Sequence, residues 1–587
     1  MKFLEFCQFL QKIEKESARN AMVQILAEMF QQLDETEIKP AIYLLLGRVA
    51  PMYVGLEFNY SAKSLIKAIS ENFNIPFSDI DRKYKIMGDV GDLIFSLMED
   101  TQGKGLGVIN VHKKLLELAQ LRGKSSVNLK KQSYLELLTQ ISALESKYLT
   151  RIIVGNMRLG LSLKTMFDAL SVSLQGDKSL RENIEFAYGV KADPGLIGEI
   201  LKKKGINGIT GLKPEPGVPV ASKLVEREKT SEAIIRRMTS CYVQPKFDGL
   251  RVQIHFLKKG FDTDTSENTL LSLEKEQVRI FSRNMENLTA MLPDVVAVVK
   301  ELPVDSVILD GEAIGKNNIS GLYLNFQETI KRKRKYDVAQ MSRDFPLEVN
   351  AFDILELNGK NLTGLQLEQR LNILEELLLN RGKSILQLTK TTKVNTEKEL
   401  EKLFNNYVKS GLEGIIAKDT TSHYDPGTRN FDWIKLKATS RSELTDTVDA
   451  VIMGYYQGSG NRAKFGLGAL LAGIYDKASD QYVSLAKVGS GLSEEGIVRY
   501  KGVLDELMVS EMPKNYVISP NLIPDVIVAP KVVITIDADS ISRSKVHGGE
   551  HGFSLRFPRL KEFGRDKEPE DTTSPSELSR LCELKRN

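Results

Sequence analysis

The sequence predicts a multidomain chain in three parts: helical to about residue 215, a mixture of strands and helices from there to about 440, and short strands beyond. Three observations carry that reading. A chain of 587 residues is too long for one hydrophobic core and divides into about three or four domains. Apolar residues recur at helical spacing in Leu115-Leu116-Leu118-Leu121 and in Tyr134-Leu135-Leu137-Leu138-Ile141, with glycine or asparagine between segments. From Leu444 the pattern changes to short apolar runs, Val448 to Gly454, Ala469 to Tyr475, Tyr482 to Ala486 and Val532 to Ile536, separated by glycine-rich turns such as Gln457-Gly-Ser-Gly-Asn461.

The helical part begins at once. Met1 to Leu10 has apolar residues broken by Glu5 and Gln8, which suits an amphipathic helix and not a signal peptide. No apolar run of about 18 residues exists, so no membrane-spanning helix is expected. The part ends at Lys213-Pro-Glu-Pro-Gly-Val-Pro219, a proline-rich linker. Cys7, Cys241 and Cys582 form no C-x-x-C pair, so neither a disulfide framework nor a zinc site is indicated, and a reducing, cytoplasmic setting is expected. A net charge of +4 does not announce a nucleic-acid binder in bulk; local basic stripes are what remain, Lys331-Arg-Lys-Arg-Lys335 being the densest. Such a run also suits a solvated helix face.

The middle part carries the chemistry. Lys246 leaves the strand-like run Cys241-Tyr-Val-Gln-Pro and is followed by Asp248, Gly249 and Arg251. A lysine becomes a nucleophile when its ammonium is deprotonated, which neighbouring cations or a desolvated site favour. Gly249 would let the backbone pass close to a ligand, and Arg251 offers a planar fork of donors to a sugar or phosphate. Alone, the hexamer also suits a solvated turn. Further segments agree with the first reading: Ser282-Arg283-Asn284, Leu309-Asp-Gly-Glu312, Phe352-Asp-Ile-Leu355, Glu413-Gly-Ile-Ile-Ala-Lys418, Trp433-Ile-Lys-Leu-Lys437, and Arg556-Phe-Pro-Arg559 with Arg565-Asp-Lys567. In Trp433 to Lys437 the strand period places Lys435 and Lys437 on one face with Trp433, two cations for one cleft. Glu312 and Glu413 bring two carboxylates toward the same site, hard ligands that suit Mg²⁺.

This ordered series resembles the motifs of covalent nucleotidyltransferases, and most closely those of ATP-dependent DNA ligases of the archaeal and eukaryotic type. The resemblance covers nearly the whole chain. It implies an all-α helical DNA-binding domain over 1–215, an α+β nucleotidyltransferase (adenylation) domain over 216–440 and an all-β OB-fold domain over 441–587. It also implies nick sealing through a lysine-AMP intermediate on Lys246, with ATP and Mg²⁺ as cofactors, during replication, repair and recombination. Carried onto this sequence, the nucleotide contacts are Gln244, Arg251, Arg283, Glu312, Phe352, Arg429, Lys435 and Lys437. Glu312 touches the ribose and, with Glu413, serves the metal; Phe352 stacks on adenine, although an aromatic on a strand is as readily core. Arg556, Arg559, Arg565 and Lys567 match the leaving pyrophosphate. Arg151 and Arg158, in the segment Lys147 to Gly160, and the basic run Lys331, Arg332, Lys333 are the expected DNA contacts. Partners implied are nicked duplex DNA and, as a candidate, a sliding clamp; the chain is expected to act as a monomer.

Two departures from the family pattern stand out. Gln244 stands where many relatives carry glutamate; its amide can accept from an adenine amino group or donate to another base, so ATP alone and a wider choice both stay open. The span from Arg251 to Arg283 is long, and residues 257–277 read as an extended hairpin loop. An RNA ligase or capping enzyme is the rival enzyme reading, disfavoured by the helical leader. An inactive nick-holding scaffold is the rival outside the enzymes, disfavoured by the intact Lys246, Glu312, Glu413 and Lys435.

Overall fold

Twelve helices fill the stretch from Phe3–Lys15 to Pro194–Ile209 among the described residues. In this computed structural model those are all residues except 100, 124, 262–275, 317–322, 325–328, 333–337, 380–383, 439–446, 459–461, 463–464, 539, 544–551 and 584–587. Of the apolar residues read from sequence at helical spacing, Leu115, Leu118, Tyr134, Leu137, Leu138 and Ile141 are buried, and Leu116, Leu121 and Leu135 are half-buried. Helix Val108–Gln120 buries Val108, Val111, Leu115, Leu118 and Ala119, one face at three- and four-residue steps. The first helix buries Phe3, Phe6, Cys7, Phe9, Leu10 and Ile13. Each large apolar side chain so buried stabilises by roughly 1.5–3 kcal/mol. Helix Ala143–Val154 starts in a capping box, where Ser142 N donates to Glu145 Oε2 at 2.7 Å, and stops at Gly155 in the left-handed region, φ 74°. No helix is long and apolar enough to cross a membrane among the described residues.

Contacts divide the chain into two compact units, Met1–Leu436 and Lys437–Asn587. Within the first, the helices join directly onto two sheets: Ala221 N donates to Gly189 O at 2.7 Å, and the Tyr53 and Phe281 rings meet edge to face at 6.1 Å. The strands in chain order are β1 (Leu224–Arg227), β2 (Cys241–Lys246), β3 (Leu250–Leu257), β4 (Val278–Ser282), β5 (Ser306–Gly315), β6 (Leu347–Leu357), β7 (Lys360–Asn361), β8 (Leu386–Leu388), β9 (Thr392–Val394), β10 (Gly414–Asp419) and β11 (Arg429–Lys437). One sheet has the order β1-β11-β10-β2-β9; the other runs β4-β3-β5-β6-β7, with β8 beside β6. The long connection read as a hairpin joins β3 to β4, which pair antiparallel from Val252↔Ser282 to Phe256↔Val278; its residues 262–275 lie outside the described ones.

The second unit is all-β with one long helix, Glu494–Asp505, as the strand runs predict. Its central strand, Val448–Tyr456, is buried along its whole length because alternate residues enter two cores: Val448, Ala450 and Ile452 one, Val451 and Met453 the other.

Candidate active site

Lys246 ends β2, and β10 runs antiparallel to it with Gly414 opposite. That register places Glu413 beside the lysine: Glu413 N donates to Lys246 O at 3.1 Å, and the Lys246 ammonium meets the Glu413 carboxylate. In the other sheet β3 and β5 set Arg251 directly opposite Glu312. The turn between β2 and β3 brings these two pairs together. Gly249 is required there, for a Cβ would stand 2.5 Å from Ala313 O and 3.0 Å from Glu312 Cγ. The sequence reading gave that glycine to a ligand; the close approach is to the chain's own β5.

Lys246, Gly249, Arg251 and Glu312 line a cleft of ≈ 600 Å³, within the range that holds a small ligand, and Glu413 reaches it through its contact with Lys246. Gln244, Lys246, Asp248, Arg251, Arg283, Glu312 and Phe352 lie on its walls, together with Thr389, Lys418 and Trp433. Of the expected nucleotide contacts, Arg429, Lys435 and Lys437 are not among the lining residues. Arg429 is exposed at the start of β11, and Lys435 is half-buried further along it, opposite Arg227. Lys437 ends the same strand, half-buried.

Electrostatics in the cleft follow from burial. Burial pushes the Glu312 carboxyl up to about 7, although Lys246 and Arg251 pull it down. Burial likewise lowers Lys418 to about 7, against the pull of Asp353 and Asp310. Lys418 is 1% exposed; its ammonium lies 3.8 Å from the Trp433 ring centre and 4.6 Å from that of Phe352, with Phe352 O accepting at 3.3 Å. Burial lowers Arg251 too, but Asp310 outweighs it and holds the guanidinium above its ordinary value. Asp310 takes Arg251 through both oxygens, at 3.0 and 2.5 Å, and Tyr424 OH donates to the same carboxylate at 2.7 Å. Lys223, fully buried, closes the group. Its ammonium donates to Asp425 at 2.9 Å and Asp432 at 2.8 Å, its amide donates to Tyr424 OH, and its carbonyl accepts from Arg251.

Sequence reasoning missed Lys418, Asp310, Tyr424 and Lys223. Two carried a signal: Asp310 is two residues before Glu312 on one strand and shares its face, and Lys418 closes a quoted motif. Tyr424 and Lys223 carried none, since their partners are distant in sequence.

The expected DNA contacts fare unevenly. Arg158 is on the surface, in the left-handed region at φ 54°, with Nε 2.9 Å from Asp89. Arg151 is a correction: it is 2% exposed and ion-paired to Asp89, Asp92 and Glu14, three carboxylates that offset the cost of taking its guanidinium out of water. Arg332 is another, 1% exposed and paired to Asp294 with Met291 O as a further acceptor. Lys333 lies outside the described residues, and of Lys331 only the backbone is described, in the short turn Ile330–Arg332.

In the second unit, Arg556 and Arg559 are exposed. Arg565 and Lys567 share one carboxylate, each 2.8 Å from Asp449.

Comparison with known proteins gives the family. The family profile described as ATP dependent DNA ligase domain matches residues 267–437, that described as DNA ligase N terminus matches 2–171, and that described as ATP dependent DNA ligase C terminal region matches 463–567. A probable DNA ligase of Dictyoglomus turgidum is 42% identical over 98% of this chain and 97% of its own length. DNA ligase 1 of Methanosarcina acetivorans is 31% identical over 99% of this chain and 100% of its own. The solved structure titled Pmar-Lig_PreS3 shares the fold, with a TM-score of 0.55 at 18% identity over 95% of this chain and 99% of that one. Matched by these profiles along its length and by relatives 31–42% identical over nearly all of it, the chain belongs to the ATP-dependent DNA ligases, enzymes that use ATP to seal nicks in DNA.

Proposed function

We propose that Lys246 is the residue that carries AMP, and that the cleft around it performs the first step of sealing. The observation that supports this most strongly is the meeting of Lys246 with Glu413 on paired strands, in a cleft whose opposite wall sets Arg251 against Glu312. The lysine nitrogen attacks the α-phosphorus of ATP, forming a P–N bond as the bond to pyrophosphate breaks. Glu413 orients the amine, and a cation held by the two carboxylates would favour loss of its proton to water. Phe352 packs on the base, and Arg283 reaches the phosphates from the rim. AMP then passes to the 5′-phosphate at the nick, and the 3′-hydroxyl attacks that phosphate and expels AMP. Little else is covalent; the remaining residues align groups and offset charge.

Glu312 and Glu413 fit a divalent cation, which we infer to be Mg²⁺. Burial has raised Glu312, and the Glu413 charge pushes the same way, so a cation relieves both. Among the described residues no cluster of three or more His, Cys, Asp or Glu could hold a metal, so such an ion would take its other ligands from phosphate and water. Bound there, it would offset charge on the phosphates. In the C-terminal part, Arg556, Arg559, Arg565 and Lys567 match the charge of the leaving pyrophosphate, and Arg158 is the helical part's candidate for a DNA phosphate.

The test is incubation with labelled ATP, GTP or NAD, followed by mass analysis of the peptide carrying Lys246. AMP on Lys246 is expected from ATP and none on Lys246→Ala or Lys246→Arg, since arginine stays protonated and cannot attack. Acid-labile AMP retained by either variant overturns the assignment.

A further inference from the structure

The base end of the cleft carries a polar arrangement that the steps above do not use. Gln244 is 2% exposed, and its Nε2 lies 2.9 Å from Thr391 Oγ1. Thr391 precedes β9, which pairs with β2 through Val243↔Thr392, so the two side chains are cross-strand neighbours. Thr391 Oγ1 in turn lies 3.1 Å from Thr389 O. A carbonyl oxygen only accepts, so the Thr391 hydroxyl proton is committed to it. The Thr391 oxygen can then only accept from Gln244, which requires the NH₂ end of the amide on that side and leaves the amide oxygen for a ligand. Thr389 itself is 1% exposed and lines the cleft, and its Oγ1 is a buried hydroxyl with no hydrogen-bond partner among the described residues. Buried polar groups are nearly always paired, and an unpaired one on a cleft wall marks where a ligand atom completes it.

We propose that Thr389 and Thr391 are the residues that make this cleft select adenine: Thr391 fixes the sense of the Gln244 amide, and the Thr389 hydroxyl is a second polar contact to the base. The inference rests on the cleft being the nucleotide site proposed above. Adenine carries an amino group at position 6, a donor that the Gln244 oxygen accepts. Guanine carries a carbonyl there, so two acceptors would face each other. A glutamine free to rotate would serve either purine by turning its amide over; one held by Thr391 serves one. The sequence departure at Gln244 is thereby compensated from the next strand.

Calorimetric titration with the α,β-methylene analogues of ATP and GTP reads purine choice without any chemistry at Lys246. For the wild-type chain, tighter binding of the ATP analogue is expected. Thr391→Val, which keeps the shape and removes the hydroxyl, should narrow that preference by about five- to tenfold, the worth of one hydrogen bond. Thr391→Ser should keep it, which a merely structural role for the side chain would not require. Thr389→Val should weaken the ATP analogue by about threefold or more. An undiminished preference in Thr391→Val, equal binding of both purines by the wild type, or unchanged ATP-analogue affinity in Thr389→Val overturns the proposal. If instead the preference behaves as stated but labelled ATP leaves nothing on Lys246, the lysine assignment falls and the purine selection stands.

Discussion

Replacing Tyr424 by phenylalanine removes one oxygen from the buried network behind Arg251 and nothing else. That hydroxyl donates to Asp310 at 2.7 Å and accepts from Lys223 N at 3.2 Å and, weakly, from Arg251 Nη2 at 3.4 Å. Asp310 is fully buried and Tyr424 is 2% exposed, so water does not replace the lost partner. An orphaned buried amide costs about 1–3 kcal/mol and a lost bond to a charged acceptor about 1.5–3 kcal/mol; Asp310 keeps both bonds to Arg251, which puts the sum at about 3 kcal/mol. Trp433 reports it: it is the chain's single tryptophan, 1% exposed, with its ring centre 5.8 Å from that of Tyr424. Urea unfolding followed by its emission should show a lower midpoint at unchanged slope. Without the Tyr424 bond the Asp310–Arg251 pair loses one anchor and can shift as a unit, and lysine-AMP formation should slow by about 10- to 100-fold. A loss of stability under about 0.5 kcal/mol, with adenylation at the wild-type rate, would refute the idea that this network positions Arg251.

Three further outcomes can be checked. Lys418 is lowered to about 7 by burial from an ordinary value of 10.5, so between those values the unfolded lysine holds a proton that the folded one gives up, and stability rises with pH across that window; Lys418→Met should flatten the rise and stabilise most below pH 7, as denaturant titrations across pH would show. Arg370 and Asp353 form a fully buried pair at 2.8 and 3.0 Å just behind Phe352, so Arg370→Met should cost about 3–5 kcal/mol in the same unfolding assay, and Asp353→Leu in the same chain should recover much of it. Lys567→Ala should sharply slow self-adenylation while sealing of a chemically pre-adenylated nick persists, because pyrophosphate is gone before DNA chemistry starts; equal losses in the two assays would place its action on DNA or on the Asp449 contact.

Local pattern determined much of this protein. Three- and four-residue apolar spacing predicted the helix that buries Leu115 and Leu118, and the apolar run Val448 to Gly454 predicted a strand there, because the apolar pattern of a helix or strand shows in its own sequence. Lys246, Glu312 and Glu413 stood out for a different reason: Lys246 closes a strand-like run three residues before Gly249, Glu312 follows an Asp-Gly pair after an apolar run, and Glu413 precedes Gly414 and an apolar run. What only tertiary structure decided is which charges meet. Arg151 and Arg332 read as surface cations because burial of a guanidinium depends on carboxylates from other segments, Asp89 and Asp294 here, that no local window contains. Gly249 is small for the sake of Ala313, and Tyr424 reaches Asp310, more than a hundred residues away in sequence. Sequence spacing specifies the face a residue takes on its own element; the partner on the opposing element is set by register and packing, and at this cleft those contacts fix the charge and orientation of the reacting groups.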